Sequence, residues 1–358
     1  MSKSIMQIID PKKISKECKI TFIIGNGFDL GLGLKTKYFD VYDGYINNPS
    51  SSDIVAKFKQ DLKDNLANDY ENWSDFEIGM AKYATEFDSE DQLVDCVRDF
   101  KQYMVAHLKS ENQIFLDMLK GFTNSLSIIN ELNRSLEFFY DGLTPNIINQ
   151  FRYITKDAEI IRNYITFNYT HSLEALLSIQ ATHYKFIENE PIHIHGRLDR
   201  DVVLGIDNIN QLKGIKYSLT RKGQRAFVKT LFNEEYDRAR IEKAQNTISQ
   251  SSIICIYGFS LGESDQTWVE ALANWLREDS NHHMVIYDYD QRTYNTYNYD
   301  EIMEVEDAKK SKILNKLGIC NETVLDQIHI PVGRDLFNFN FVKVESPYSI
   351  IGSLNNYY

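Results

Sequence analysis

The sequence has little proline, 6 residues in 358, and little cysteine, 4 residues. Scarce proline beside 22 tyrosines and 20 phenylalanines argues against long disorder and leaves ample material for a large core. The cysteines, Cys18, Cys96, Cys255 and Cys320, lie far apart and form no C-x-x-C pair. Neither a zinc knuckle nor a redox motif is indicated, no metal is expected, and the thiols read as ordinary reduced ones. Positive charge is also in deficit. A net charge of −12 disfavours a broad nucleic-acid surface. No apolar run reaches membrane-spanning length, and residues 1–16 lack the continuous apolar stretch of a signal peptide. A cytoplasmic protein with no membrane partner is expected. There is no internal repeat and no low-complexity tract.

What is present begins at residues 19–34, KITFIIGNGFDLGLGL. The apolar run 20–24 stops at Gly25-Asn26-Gly27-Phe28-Asp29, which reads as a buried parallel strand ending in a glycine turn. Such a turn lets a ligand approach the backbone, as in nucleotide-binding folds. It is not the complete G-x-G-x-x-G pattern, because Leu30 stands at the third position. A plain tight turn is the competing reading.

Residues 51–157 are almost wholly helical in pattern, for example DQLVDCVRDFKQYMVAHLK. They read as a helical insertion in an α/β core made of residues 17–50 and 158–358. Within the insertion, Ser74 and Glu77 match a capping box; alternatively Trp73, Asp75 and Glu77 reach over the glycine turn. Strands resume at residues 164–167, ending in Asn168-Tyr169-Thr170, with Thr170 or Ser172 capping the next helix. Residues 192–195 alternate Ile-His-Ile-His, which places His193 and His195 on one strand face. DVVLGID, residues 252–258, HHMVIYDYD with Asp288 and Asp290, and residues 339–344 read as further strands. Lys213, Lys216, Arg221, Lys222, Arg225 and Lys229 form a basic run, read as a solvated face or as balance for phosphate charge. The alternation of strands and helices predicts an α/β fold, a Rossmann-type, mostly parallel sheet with a large helical insertion after the first strand.

Polar clusters stand at four strand ends: GNGFD, TFNYT, HIHGR and GFSLGESD. In open α/β sheets ligands bind outside those ends, so the four suggest one cleft. Each also has a structural reading. Gly25 and Gly27 turn the chain, Asn168 forms an Asx turn, one histidine faces core, and Ser264 and Asp265 cap a helix. GFSLG also matches G-x-S-x-G, with Asp288 and His329 following in the order of a serine hydrolase using Ser260. A third reading gathers Asp29, Asp75 and Glu77 around Mg²⁺ as a nuclease.

Taken together, GNGFD, WSDFE, TFNYT, IHIHG, LGID and GFSLGESD resemble the AbiH family of bacterial phage-defence, or abortive infection, proteins. At greater distance the motifs resemble sirtuin-like NAD-binding domains. That resemblance implies NAD as substrate or ligand, contacted by Gly25, Asn26, Gly27 and Phe28 in the first turn and by Gly258, Ser260 and Asp265 later. It also implies catalytic roles for Asn168 and His195. Asp29 or Asn168 would stabilise the charge that develops on the ribose, and Arg197 would help hold phosphate. Asn26 and Phe28-Asp29 depart from the small residues usual in a sirtuin loop, and the sirtuin cysteine zinc module is absent. Hydrolysis of NAD is therefore expected rather than deacetylation. A non-catalytic nucleotide sensor of the same fold is the main alternative. A phage-encoded trigger and a homo-oligomer are partners compatible with such a role.

Overall fold

The computed structural model describes residues 16–339, apart from 69, 122–124, 185–188, 289–293, 295–297 and 321. Its centre is a six-stranded, all-parallel sheet in the order β3-β2-β1-β4-β5-β6. The strands are β1 (Lys16–Ile24), β2 (Ala158–Thr166), β3 (Ile192–His193), β4 (Ile253–Tyr257), β5 (His283–Tyr287) and β6 (Ile328–His329). This is the doubly wound Rossmann order, with its topological switch between β1 and β4.

The strand residues divide by parity between two cores. Ile20, Phe22 and Ile24 enter one, and Ile23 enters the other. Both faces are covered by helices, which is why β1 and β4 read as unbroken apolar runs. Thr21 is accommodated between them because its hydroxyl meets the Ser251 hydroxyl at 2.6 Å.

Between β1 and β2 the chain forms α1 (Gly27–Gly31), α2 (Tyr38–Asn47), α3 (Asp53–Asn68), α4 (Phe76–Tyr83), α5 (Glu90–Gly121), α6 (Ser125–Glu137) and α7 (Pro145–Thr155). This stretch contributes to two cores. Phe115, Leu132, Phe139 and Phe151 cover the sheet, whereas α2 to α4 and the first half of α5 build a third core of their own. There Phe76 stacks on Phe100 at 3.6 Å between ring centres, and Leu204, Ile206 and Phe227 join from far along the chain. After β2 follow α8 (Ser172–Tyr184), α9 (Arg221–Phe227), α10 (Lys229–Tyr236), α11 (Arg238–Ser249), α12 (Gln266–Glu278) and α13 (Tyr299–Lys316). The face of α12 bearing Trp268, Leu272 and Trp275 is buried, as its spacing predicts. Among the described residues no helix is long and apolar enough to cross a membrane.

Local expectations fail where a tertiary partner intervenes. Strand β3 ends at His193, because the chain turns through residues 194 and 195 and Gly196 takes φ +75°. DVVLGID forms only an isolated bridge, Ile206 to Val228. The cap of α4 is Asp75, which accepts from the amides of Glu77 and Ile78, while the Ser74 hydroxyl donates to the Glu71 carbonyl. Of the strand expected at 339–344, residues 340–344 lie outside the described residues, as does Asp290, and Phe339 is not in a strand.

The ends of β1 and β4 are joined without side chains. The amide of Gly25 donates to the Tyr257 carbonyl (2.9 Å) and that of Gly27 to the Gly258 carbonyl (3.0 Å). A methyl group on Gly25 would lie 2.4 Å from the Gly258 oxygen, and one on Gly27 2.5 Å from the Gly258 Cα. Gly33, by contrast, needs glycine only for its φ of +82°, since the space around it is open. Gly27→Ala is therefore expected to lose about 3 kcal/mol or more by forcing two backbones apart. Gly33→Ala should lose only about 1–2 kcal/mol from its left-handed backbone. Denaturant unfolding of the two variants checks the difference.

Candidate functional site

Strand register brings the polar ends to one edge. Ile24, the last residue of β1, pairs with Thr166 and Tyr257, and Tyr257 pairs with Tyr287. The residues that follow open onto a cavity of about 1200 Å³. Gly25, Asn26, Gly27, Asp29, Asn168, His195, Gly258, Ser260 and Asp265 all line it. Tyr38, Asp75 and Glu77 from the helical stretch close its other side.

Two expected residues do not reach it. Phe28 is buried in an aromatic nest with Tyr257, Phe337 and Phe339, so its ring belongs to the core under β1. Arg197 pairs with Asp199 at 3.1 Å and does not border the cavity. The first turn is also committed internally. Gly25, Gly27 and Phe28 all donate their amides to backbone carbonyls. Asn26 is tied by both ends of its amide to Thr36.

Asp29 is 1 % exposed and accepts hydrogen bonds from the hydroxyls of Thr170 (2.7 Å) and Ser172 (2.5 Å). The two hydroxyls thus serve Asp29 and are not helix caps. Burial pushes its carboxyl up to about 6, against the pull of Ser172, Thr170 and Asn168. Beside it, Asn168 is buried; its side chain is near enough to draw the Asp29 carboxyl down, yet neither its amide oxygen nor its nitrogen makes a hydrogen bond of normal geometry among the described residues. An Asx turn would have used that oxygen. An unpaired buried amide costs about 1–3 kcal/mol, which is common where a ligand completes the pairing.

The two histidines separate. His193 Nδ1 meets the Asn168 carbonyl at 2.9 Å and its Nε2 meets Glu174 on α8. It is saturated, and it orients the peptide that carries Asn168. His195 turns the other way and contacts Asp265 through Nε2 at 2.8 Å. Asp265, expected as a cofactor contact with a helix cap as its structural alternative, makes no cap bond; Asp207 takes that role by accepting from the Thr267 amide and hydroxyl.

Asp265 is held by Lys229, the one residue of the basic run buried in this cluster. The Lys229 ammonium donates to Asp265 (2.9 Å) and to Glu77 on α4 (2.8 Å), and lies 3.4 Å from His195 Nε2. Burial alone would lower the lysine, but Asp265 and Glu77 outweigh it and hold it charged. Burial would raise Asp265, but Lys229 and His195 hold it well below the usual carboxylate range. Burial pushes Glu77 up to about 8, opposed by Lys229. Burial and then Lys229 lower His195, which favours the neutral ring. Elsewhere in the run the pairs are at the surface: Arg221 and Arg225 with Glu235, and Lys222 with Asp91.

The LGID motif builds this cluster. The Gly205 amide donates to Glu77 Oε1 at 3.0 Å, and the Ile206–Val228 bridge sets Lys229 inward. A methyl on Gly205 would lie 2.2 Å from the Phe227 carbonyl, so the close approach requires glycine.

The hydrolase and nuclease constellations are not assembled. His329 lies on β6, within 3.1 Å of His283 near the opposite ends of the strands, and Asp288 pairs with Lys309. Asp75 caps α4 and Glu77 faces Lys229; no three metal-binding side chains converge among the described residues.

The arrangement is that of a doubly wound α/β protein with a polar, partly unpaired cavity at its switch point. The chain belongs to the bacteriophage abortive infection AbiH family, whose description matches residues 21–288, and its role is thus one of phage defence. Among individually curated proteins none matches the chain.

Two outcomes follow. Lys229→Met leaves the Asp265 carboxylate buried without its counterion and Glu77 without its donor, and should cost about 3–5 kcal/mol, read by chemical denaturation. Asp29→Asn should be at least as stable as the parent at pH 7, since a carboxyl raised from 3.8 to about 6 opposes folding when ionised. The parent regains stability relative to the variant as pH falls from about 6 toward 4, where the folded state binds the extra proton; thermal melts across that range read it.

Proposed function

We propose that this cavity hydrolyses NAD⁺ at the bond between nicotinamide and ribose. One observation carries the reading: Asn168 presents an unpaired buried amide to the cavity beside the ionisable carboxyl of Asp29. The motif resemblance to sirtuin-like domains puts an asparagine at such a strand end beside the nicotinamide ribose.

Breaking the glycosidic bond leaves positive charge on the ribose and releases nicotinamide with the bonding electrons. Asn168 would hold the ribose hydroxyls. The Asp29 carboxylate would stabilise the developing cation and accept the proton of the water that adds to C1, giving ADP-ribose. With a carboxyl near 6, Asp29 is ionised at neutral pH yet basic enough to take that proton. His195, fixed by Asp265, borders the same space and orients the water or a ribose hydroxyl. Loss of NAD would stop phage growth in the infected cell, in keeping with abortive infection.

The test incubates the purified full chain with NAD⁺, with and without phage lysate, and follows nicotinamide by chromatography. The parent should release it, Asn168→Ala should be slower by at least about 100-fold, and the rate should fall as pH drops below about 6. Folded parent protein that releases none under either condition overturns the reading. Binding of NAD⁺ without release would indicate a sensor.

A further inference from the structure

If a dinucleotide enters this cavity, its two phosphates need donors, and three amides of the first turn are already committed. The amides of Gly25, Gly27 and Phe28 are already given to Tyr257, Gly258 and Gly25. Their role is to bring β1 and β4 together. Side-chain cations are the other source of donors, in a chain whose net charge is −12.

Among the described residues, the lysines and arginines that border the cavity are Lys35, Lys37, Lys316 and Arg334. Two of them come from beyond residue 288, where the family match ends. Lys316 closes α13, and its ammonium donates to the Ser260 carbonyl at 2.5 Å. That single bond places the charge against the turn after β4 and leaves two of its three protons for a ligand. Arg334 is oriented by packing: a methyl on Gly142 would lie 2.7 Å from the Arg334 Cγ, so the stem rests on a bare backbone. Neither cation forms an ion pair among the described residues; burial and then Lys312 lower the Lys316 ammonium, and the Asp288 carboxylate opposes this.

The acidic groups nearby, Asp288 and Asp335, already have partners. Asp288 is paired with Lys309 at 2.8 Å. The Asp335 carboxyl is engaged by hydrogen bonds from the Tyr257 hydroxyl and the Leu336 amide. Lys316, Arg334 and the Lys309 that pairs with Asp288 thus outnumber Asp288 and Asp335 here, while Asp29, Asp75, Glu77 and Asp265 also line the cavity. Unpaired cations kept at one side of a cavity in an acidic protein are suited to a polyanion, because arginine grips phosphate oxygens bidentately and lysine supplies a compact charge.

We propose that Lys316 and Arg334 form the subsite for the diphosphate of a nucleotide ligand, and that the Gly25–Gly27 turn does not. The inference rests on the nucleotide reading of the cavity but not on turnover.

The experiment titrates the full chain with ADP-ribose, ADP and adenosine by calorimetry, for the parent and for Lys316→Met, Arg334→Met and Lys35→Met. Circular dichroism and melting confirm that each variant is folded, and Lys316→Gln replaces Lys316→Met if that one is not. ADP-ribose and ADP should bind the parent, and each of the first two variants should weaken both by about tenfold or more while leaving adenosine unchanged. Lys35→Met should change them less. Binding that is unaffected, or that falls equally for adenosine, overturns the subsite, as does a parent that binds neither ADP nor ADP-ribose. Nucleotide binding that depends on these cations without nicotinamide release leaves the subsite standing and removes the hydrolase. Turnover that ignores both substitutions does the reverse.

Discussion

The ammonium of Lys229 is the point at which four distant parts of the chain meet. It is buried, and it binds Glu77 from the helical stretch and Asp265 after β4, with His195 after β3 alongside. A lysine removed from water is tolerated only with carboxylates in hydrogen-bond range, so these elements must close together or not at all. The segment through Gly205 and the Ile206–Val228 bridge exists to deliver that charge. The cluster forms one wall of the cavity and sets the position of His195, and so couples the stability of the fold to the shape of the site.

A second constraint acts at the sheet. Three glycines let β1 and β4 meet backbone to backbone at the switch point, which draws their ends close enough for one cavity to span from β2 to β5. Asp29 and Asn168 sit at that edge in states a folded protein would otherwise avoid, one a buried ionisable group and the other a buried amide without a well-formed hydrogen bond. Costs of that kind concentrate where a ligand is to be bound.

Much of the fold was legible. The apolar runs at β1, β4 and β5, the glycine turn and the helix at 266–278 follow from periodicity and backbone rules that act over a few residues. The gathering of Asp29, Asn168, His195, Ser260 and Asp265 at one edge followed from the strand-end rule for parallel sheets. Lys229 was hidden inside a basic run that looked like a solvated face. The single signal that set it apart was its position after Phe227 and Val228, where a surface lysine is unusual. Lys316 and Arg334 carried no local sign, because their meaning depends on which cavity they border.

The sequence by itself determined the class of the fold, the strand-end clusters and the family, since each depends on short patterns of apolar, glycine and polar residues. Only the tertiary structure decided what those residues face. It turned Phe28 into the core, split His193 from His195 when the chain bent at residue 194, and gave the cap of α12 to Asp207 instead of Asp265. Alternation and capping rules assume that a side chain answers to its neighbours along the chain. In a buried site the stronger demand is for a partner to each charge and polar atom, and that partner is supplied from anywhere in the fold.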